Sequence, residues 1–249
     1  MPWICAIGIA VAPPVLAEGT APHEKAVAKI VIDPGHGGDE RGAVGKLGLD
    51  EKALTLSLGL ALRDVLEKAG FQVVMTRTDD RVVGLWDRPA LANREGAQLF
   101  VSLHANSSPA RRATGVETYF LSIDAPDEDA RKLAAIENAV VAAPDAPTDA
   151  KDDVTSILWS MAQERILGES QRLAEGIQAE LDRALAVPDR GIKQAPFVVL
   201  RNATMPAVLV EVGFLSNPAI EKKLSDPEYQ ATIVKAIAAG IKSFSDPRP

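Results

Sequence analysis

The sequence predicts an α/β fold: one domain with a mostly parallel, twisted sheet, helices on both faces, and an inserted helical lid segment. Three observations carry this. Short apolar runs rich in β-branched residues recur along the chain, bounded by glycine, proline or polar residues, which is how strands buried on both faces read. Stretches with apolar residues at helical spacing lie between them, and that alternation builds a parallel sheet. Two of only three histidines, His36 and His104, end such apolar runs. Open α/β sheets place their ligand sites at the carboxyl ends of strands.

The first element is a targeting segment. Residues 3–16 are apolar and small, and Val15-Leu16-Ala17 resembles a signal-peptidase site, although no Lys or Arg precedes the run. We expect a signal peptide over 1–17, a polar linker over 18–28 and one domain over 29–246. The apolar run is too short to span a membrane as a mature helix, and no second long one occurs. The single cysteine, Cys5, lies in the segment to be removed. The mature chain then has neither disulfides nor thiolate ligands, so a metal site must be built from His, Asp and Glu.

Strands are expected at 30–34, 71–76, 99–103, 115–121, 197–200 and 207–212. One helix carries Leu54, Leu58, Leu62 and Leu66 and closes at Gly70. A second runs from about 165 to Val187-Pro188, with Leu173, Ile177 and Leu181 on one face. A third covers about 227–244, with the stripe Ile233, Ile237 and Ile241. Residues 122–168 depart from this scheme. They are acidic, carry Pro126, Pro144 and Pro147, and hold two helical patterns around the loop 142–149. A loop of that length in a compact domain is a surface insertion or a functional lid.

The formal net charge of −7 argues against a nucleic-acid partner, because phosphate binding needs clustered Lys and Arg. No G-x-S-x-G elbow, Walker A loop or G-x-G-x-x-G fingerprint occurs.

What remains points to a metal. His36 sits in Asp33-Pro34-Gly35-His36-Gly37-Gly38 and His104 in Leu103-His104-Ala105-Asn106, both after apolar runs. Neutral imidazole is the commonest metal ligand. Glu51 is the candidate third ligand; it opens the helix after the glycine-rich turn, where it could instead only complement the helix N-terminus. Asp50 beside it could serve as the cap and leave Glu51 free. Glu211 lies inside the apolar run 207–212, a costly place for a carboxylate unless it is paired or near a metal. Such a group can take a proton from water and pass it to a leaving amine.

Four strings, IVIDPGHGG at 30–38, DEK at 50–52, SLHANSS at 102–108 and VLVEVGFLSN at 208–217, resemble in this order the zinc-dependent N-acetylmuramoyl-L-alanine amidases of the amidase-3 type, which include periplasmic cell-division amidases. The resemblance covers residues 29–244. It implies one Zn²⁺ per chain held by His36, Glu51 and His104, with Glu211 as catalytic acid/base. The implied reaction is hydrolysis of the amide between N-acetylmuramic acid and L-alanine in the Gram-negative periplasm, during septal wall splitting. Arg88 and Asn106 are expected to orient the ligands or to pack. A zinc peptidase acting on wall peptides and a non-catalytic peptidoglycan-binding regulator are the alternatives.

Septal members of that family carry an inserted helix that blocks the site until an activator displaces it, and residues 122–168 resemble that element. Leu133, Glu137 and Val141 share one helical face, with Ile136 and Val140 beside them. Glu137 interrupts an apolar stripe, so we expect it to plug the open zinc position. Trp159 lies off the stripe of Val154, Ile157, Leu158 and Met161; it is either a contact for an activator of the LytM type or a packing residue. A monomer is expected.

Overall fold

The computed structural model describes residues 28–122, 127–139 and 153–245, with side chains from residue 163 onward in the last segment. The expected signal peptide, nearly all of the linker, the loop 142–149, Val140, Val141 and the side chain of Trp159 with its apolar neighbours lie outside the described residues.

Six strands form one sheet: β1 (Lys29–Pro34), β2 (Gln72–Met75), β3 (Leu99–Asn106), β4 (Val116–Leu121), β5 (Asp189–Ala195) and β6 (Ala207–Phe214), in the order β2-β1-β3-β6-β4-β5. Every junction is parallel except β4 with β6, which is antiparallel. The reversal follows from chain length. Only nine residues, 107–115, join β3 to β4, too few for the crossover a parallel neighbour requires.

Strand alternation divides the core. Ile30, Ile32, Val101, Val208 and Val210 face a layer built by α1 (Glu51–Lys68), α4 (Asp153–Ala184), α6 (Pro218–Leu224) and α7 (Pro227–Ser245). Val31, Phe100, Tyr119 and Leu209 face α2 (Asp87–Arg94), α3 (Glu128–Asn138) and α5 (Val198–Arg201). Helix α1 buries Leu54, Leu58, Leu62 and Leu66, an i, i+4 stripe that closes on the sheet. Helices α4 and α7 touch backbone to backbone: a Cβ on Gly240 would stand 2.6 Å from the Cα of Ile177.

Two expectations are corrected. The apolar run 197–200 is no strand; Phe197 precedes the single turn α5. A short apolar run buries equally well on either backbone, and periodicity cannot separate the two. The strand in that region is β5, DRGIKQA, at the sheet edge. Its exposure keeps it polar, as edge strands tend to be, and hides it from a search for apolar runs. The second helical pattern of the insertion and the helix expected from about 165 are one helix, α4, so among the described residues of the insertion only α3 stands apart. No helix among the described residues is long and apolar enough to cross a membrane.

Candidate metal centre

The centre is built where β1, β3 and β6 end. After Pro34 the chain turns through His36, a non-glycine residue at φ +60°, followed by Gly37 and Gly38 at positive φ. Left-handed backbone is costly for a histidine and persists only when its surroundings enforce it. Two buried arginines do so. Arg88 donates to the carbonyls of Pro34 (2.9 Å) and His36 (3.1 Å), and pairs with Asp33 at 2.8 Å. Arg77 donates to the carbonyls of Pro34 (2.9 Å), Gly35 (2.8 Å) and Lys52 (2.7 Å). The Asp33 carboxylate, fully buried, also accepts from Thr76 (2.6 Å) and Ser102 (2.8 Å). Burial pushes its pKa up, but Arg88 and the hydroxyls outweigh that and hold it below the ordinary value. Gly35 is required for space: a Cβ there would lie 2.4 Å from the His104 ring.

Glu51 opens α1 and is buried. Its Oε2 accepts from the amide of Ala43 (2.8 Å), its Oε1 from the amide of Ala105 (2.9 Å). Asp50 is no side-chain cap; its carboxylate is taken by Arg41 at 2.6 and 3.1 Å. Glu51 Oε1 stands 3.1 Å from His36 Nε2 and 3.0 Å from His104 Nδ1. From above, Glu137 of α3 brings Oε2 to 3.3 and 3.4 Å from the same two nitrogens. All four donor atoms lie within 4.8 Å of one another.

This arrangement could hold a metal ion. Ligands about 2.0–2.2 Å from a tetrahedral zinc stand about 3.3–3.6 Å apart, close to these separations. His36 Nε2 is buried and makes no hydrogen bond among the described residues, despite the two carboxylates beside it, as expected where lone pairs converge on a cation. Burial would lower the His36 pKa, yet Glu137 and Glu51 raise it to about 10 in the metal-free protein. A metal must therefore displace a proton there.

Glu211 faces His104 in register on β6. It is fully buried, and among the described residues neither carboxylate oxygen has a hydrogen-bond partner. Burial, then the charges of Glu51, Glu137 and Glu117, push its pKa well above the usual carboxylate value.

The structure thus brings together His36, Glu51, His104, Glu137 and Glu211. Arg88 grips the backbone of His36. Asn106 sits 3.5 Å from Glu117. Leu133 of α3 is buried, but Ile136 is 63% exposed. Sequence reasoning missed Glu117, a buried carboxylate directly across from Glu211 on β4. The signal was available, since Val116-Glu117-Thr118-Tyr119-Phe120-Leu121 is a second apolar run interrupted by a glutamate.

The family model described as N-acetylmuramoyl-L-alanine amidase matches residues 30–243. The chain belongs to this family. The amidase AmiC of Neisseria meningitidis is 36% identical over 218 residues, which are 86% of this chain and 52% of that protein; the chain thus spans about half the length of that relative. Among solved structures, the amidase of Clostridium difficile 630 aligns with a TM-score of 0.69 and 31% identity, over 90% of this chain and 99% of that one. The CwlD amidase of Clostridioides difficile, solved in complex with the GerS lipoprotein, aligns at 0.66 and 26%, over 87% of this chain and 98% of that one.

Proposed function

We propose that this chain is a zinc-dependent peptidoglycan hydrolase that cleaves the amide between N-acetylmuramic acid and L-alanine of the stem peptide. The supporting observation is the cage of His36, Glu51 and His104 with the unpaired, buried Glu211 one strand away. Zinc in such a cage supplies a Lewis acid and makes water a stronger nucleophile at neutral pH.

The protein supplies the rest. The two imidazoles and Glu51, fixed by the amides of Ala43 and Ala105, set the ligand geometry. Glu211 takes the proton of the attacking water and hands it to the departing L-alanine nitrogen.

Glu137 stands where substrate or water would enter the cage. In this reading α3 is an inhibitory plug, and release requires α3 to move. A LytM-type activator at the division septum would displace it; a relative solved with a lipoprotein partner lends support to regulation by a partner. The setting we infer is export to the Gram-negative periplasm, with a role in daughter-cell separation.

The test is mass spectrometry of products from purified sacculi, with and without a chelator. Chelator-sensitive release of peptides beginning at L-alanine and free of muramic acid is expected. Peptides cut elsewhere identify a peptidase, and binding without release from either the native chain or Glu137→Ala refutes catalysis.

A further inference from the structure

A second charged cluster adjoins the cage and takes no part in the chemistry above. Glu117, buried at the start of β4, is met by Arg190 Nε and by Lys193 Nζ (3.1 Å), both from β5. Its other oxygen accepts from the Tyr119 hydroxyl at 2.5 Å. Arg190 is further held over the Phe214 ring at 5.1 Å. Two cations on one buried carboxylate leave one positive charge in surplus. What answers it comes from the inhibitory helix: Asp127, at the head of α3, pairs with Lys193 at 3.2 Å.

Glu117, Tyr119, Arg190, Lys193 and Phe214 line a cavity of about 190 Å³ to which α3 adds Asp129 and Lys132, while Asp127 reaches the cluster through Lys193 alone. This cavity shares Ser107, Ser108, Pro109, Leu133 and Ile136 with a larger one of about 610 Å³ that holds His36, Glu51 and Glu137. Glu117, Glu211 and His104 lie in register on three neighbouring strands. Strands about 4.8 Å apart put Glu117 about 10 Å from His104, or two to three residues of extended chain.

We propose that Lys193 and Arg190, positioned by Glu117, form a subsite for the first free carboxylate of the stem peptide beyond L-alanine, and that Asp127 occupies it while Glu137 occupies the cage. The proposal rests on the amidase reading. In that substrate the muramic acid carboxyl is consumed in the amide, so the glycan side is neutral and every carboxylate lies on the peptide side. Helix α3 then mimics the substrate at two points, with one anion at the reaction centre and one at the peptide subsite. A salt bridge of this kind is strengthened by the low-dielectric surroundings of a buried partner.

One substitution isolates the latch. The Asp127 side chain also caps α3, accepting from the amides of Asp129 (2.8 Å) and Ala130 (3.2 Å). Asparagine caps about as well as aspartate, so Asp127→Asn removes the charge and keeps the cap.

The experiment is calorimetric titration of the full chain with the dipeptide L-alanyl-D-glutamate, its γ-carboxyl capped as the methylamide, carrying either its free α-carboxylate or the α-carboxamide. Asp127→Asn is expected to tighten the acid at least tenfold and leave the amide unchanged. Lys193→Gln added to Asp127→Asn should erase the preference, with Arg190→Gln as the second variant should the first melt early. Equal affinity for both peptides in Asp127→Asn, no binding of either, or a preference that survives both cation substitutions overturns the subsite. Wall cleavage is scored separately, so a subsite that binds in a chain that never cuts sacculi counts against the amidase reading alone.

Discussion

Asp33→Asn tests how the turn at His36 is enforced. Asp33 and Arg88 are 0% and 2% exposed in their side chains and pair at 2.8 Å. Asparagine keeps the shape but loses the charge, and it turns an NH₂ group towards donors that now point at an oxygen. Removing one partner of a buried pair costs about 3–5 kcal/mol. Set against a typical domain stability of about 5–15 kcal/mol, that is severe. At about 2–4 °C per kcal/mol for a domain of this size, the melting temperature should fall by about 6–20 °C. The dependence on pH should change as well. Because the folded-state pKa of Asp33 lies below its unfolded value, its stabilisation is complete above about pH 4 and is lost as pH falls through the folded value. The wild type should therefore lose stability towards acid more steeply than Asp33→Asn. Thermal melts by circular dichroism between pH 3 and 7 measure both effects. A variant melting within 2 °C of wild type at pH 7, or two parallel acid limbs, would show that this network does not hold the turn.

Three further outcomes are expected. Glu211→Gln should lower kcat by about 10²–10⁴ with zinc content unchanged by atomic absorption; near-normal turnover removes Glu211 from the chemistry. Glu137→Ala should raise basal release of stem peptide from sacculi without any activator, and an unchanged rate argues against the plug. Gly240→Ala should cost about 1–3 kcal/mol through overpacking at the α4–α7 crossing, read as a shift in urea midpoint, while activity at 25 °C is preserved.

Much of the site was legible because its residues break local rules. A histidine after a β-branched run and a glutamate inside one are expensive to bury, so the positions of His36, His104 and Glu211 stand out in the string itself. Glu117 broke the same rule and was passed over. Glu137 was readable as a polar interruption of an apolar face, but the side chains of Val140, Val141 and Trp159 lie outside the described residues, so the remainder of that face stays an expectation. Strand β5 was invisible for the opposite reason: it obeys the rule for an exposed edge and carries no apolar run.

The sequence by itself determined the α/β class, the alternation of strands and helices, and which residue types were available for a metal. Those follow from local periodicity and from the cost of burying charge. Only the tertiary structure decided that β4 lies beside β6, not beside β3. That placement sets Glu117 opposite Glu211, and so Lys193 and Arg190 beside the cage. It also decided that α3 lies across the site, with Glu137 on two imidazoles and Asp127 on Lys193. Residues 33 to 101 positions apart acquire their electrostatic meaning from a few ångströms of separation, and that distance is set by packing, on which sequence spacing is silent.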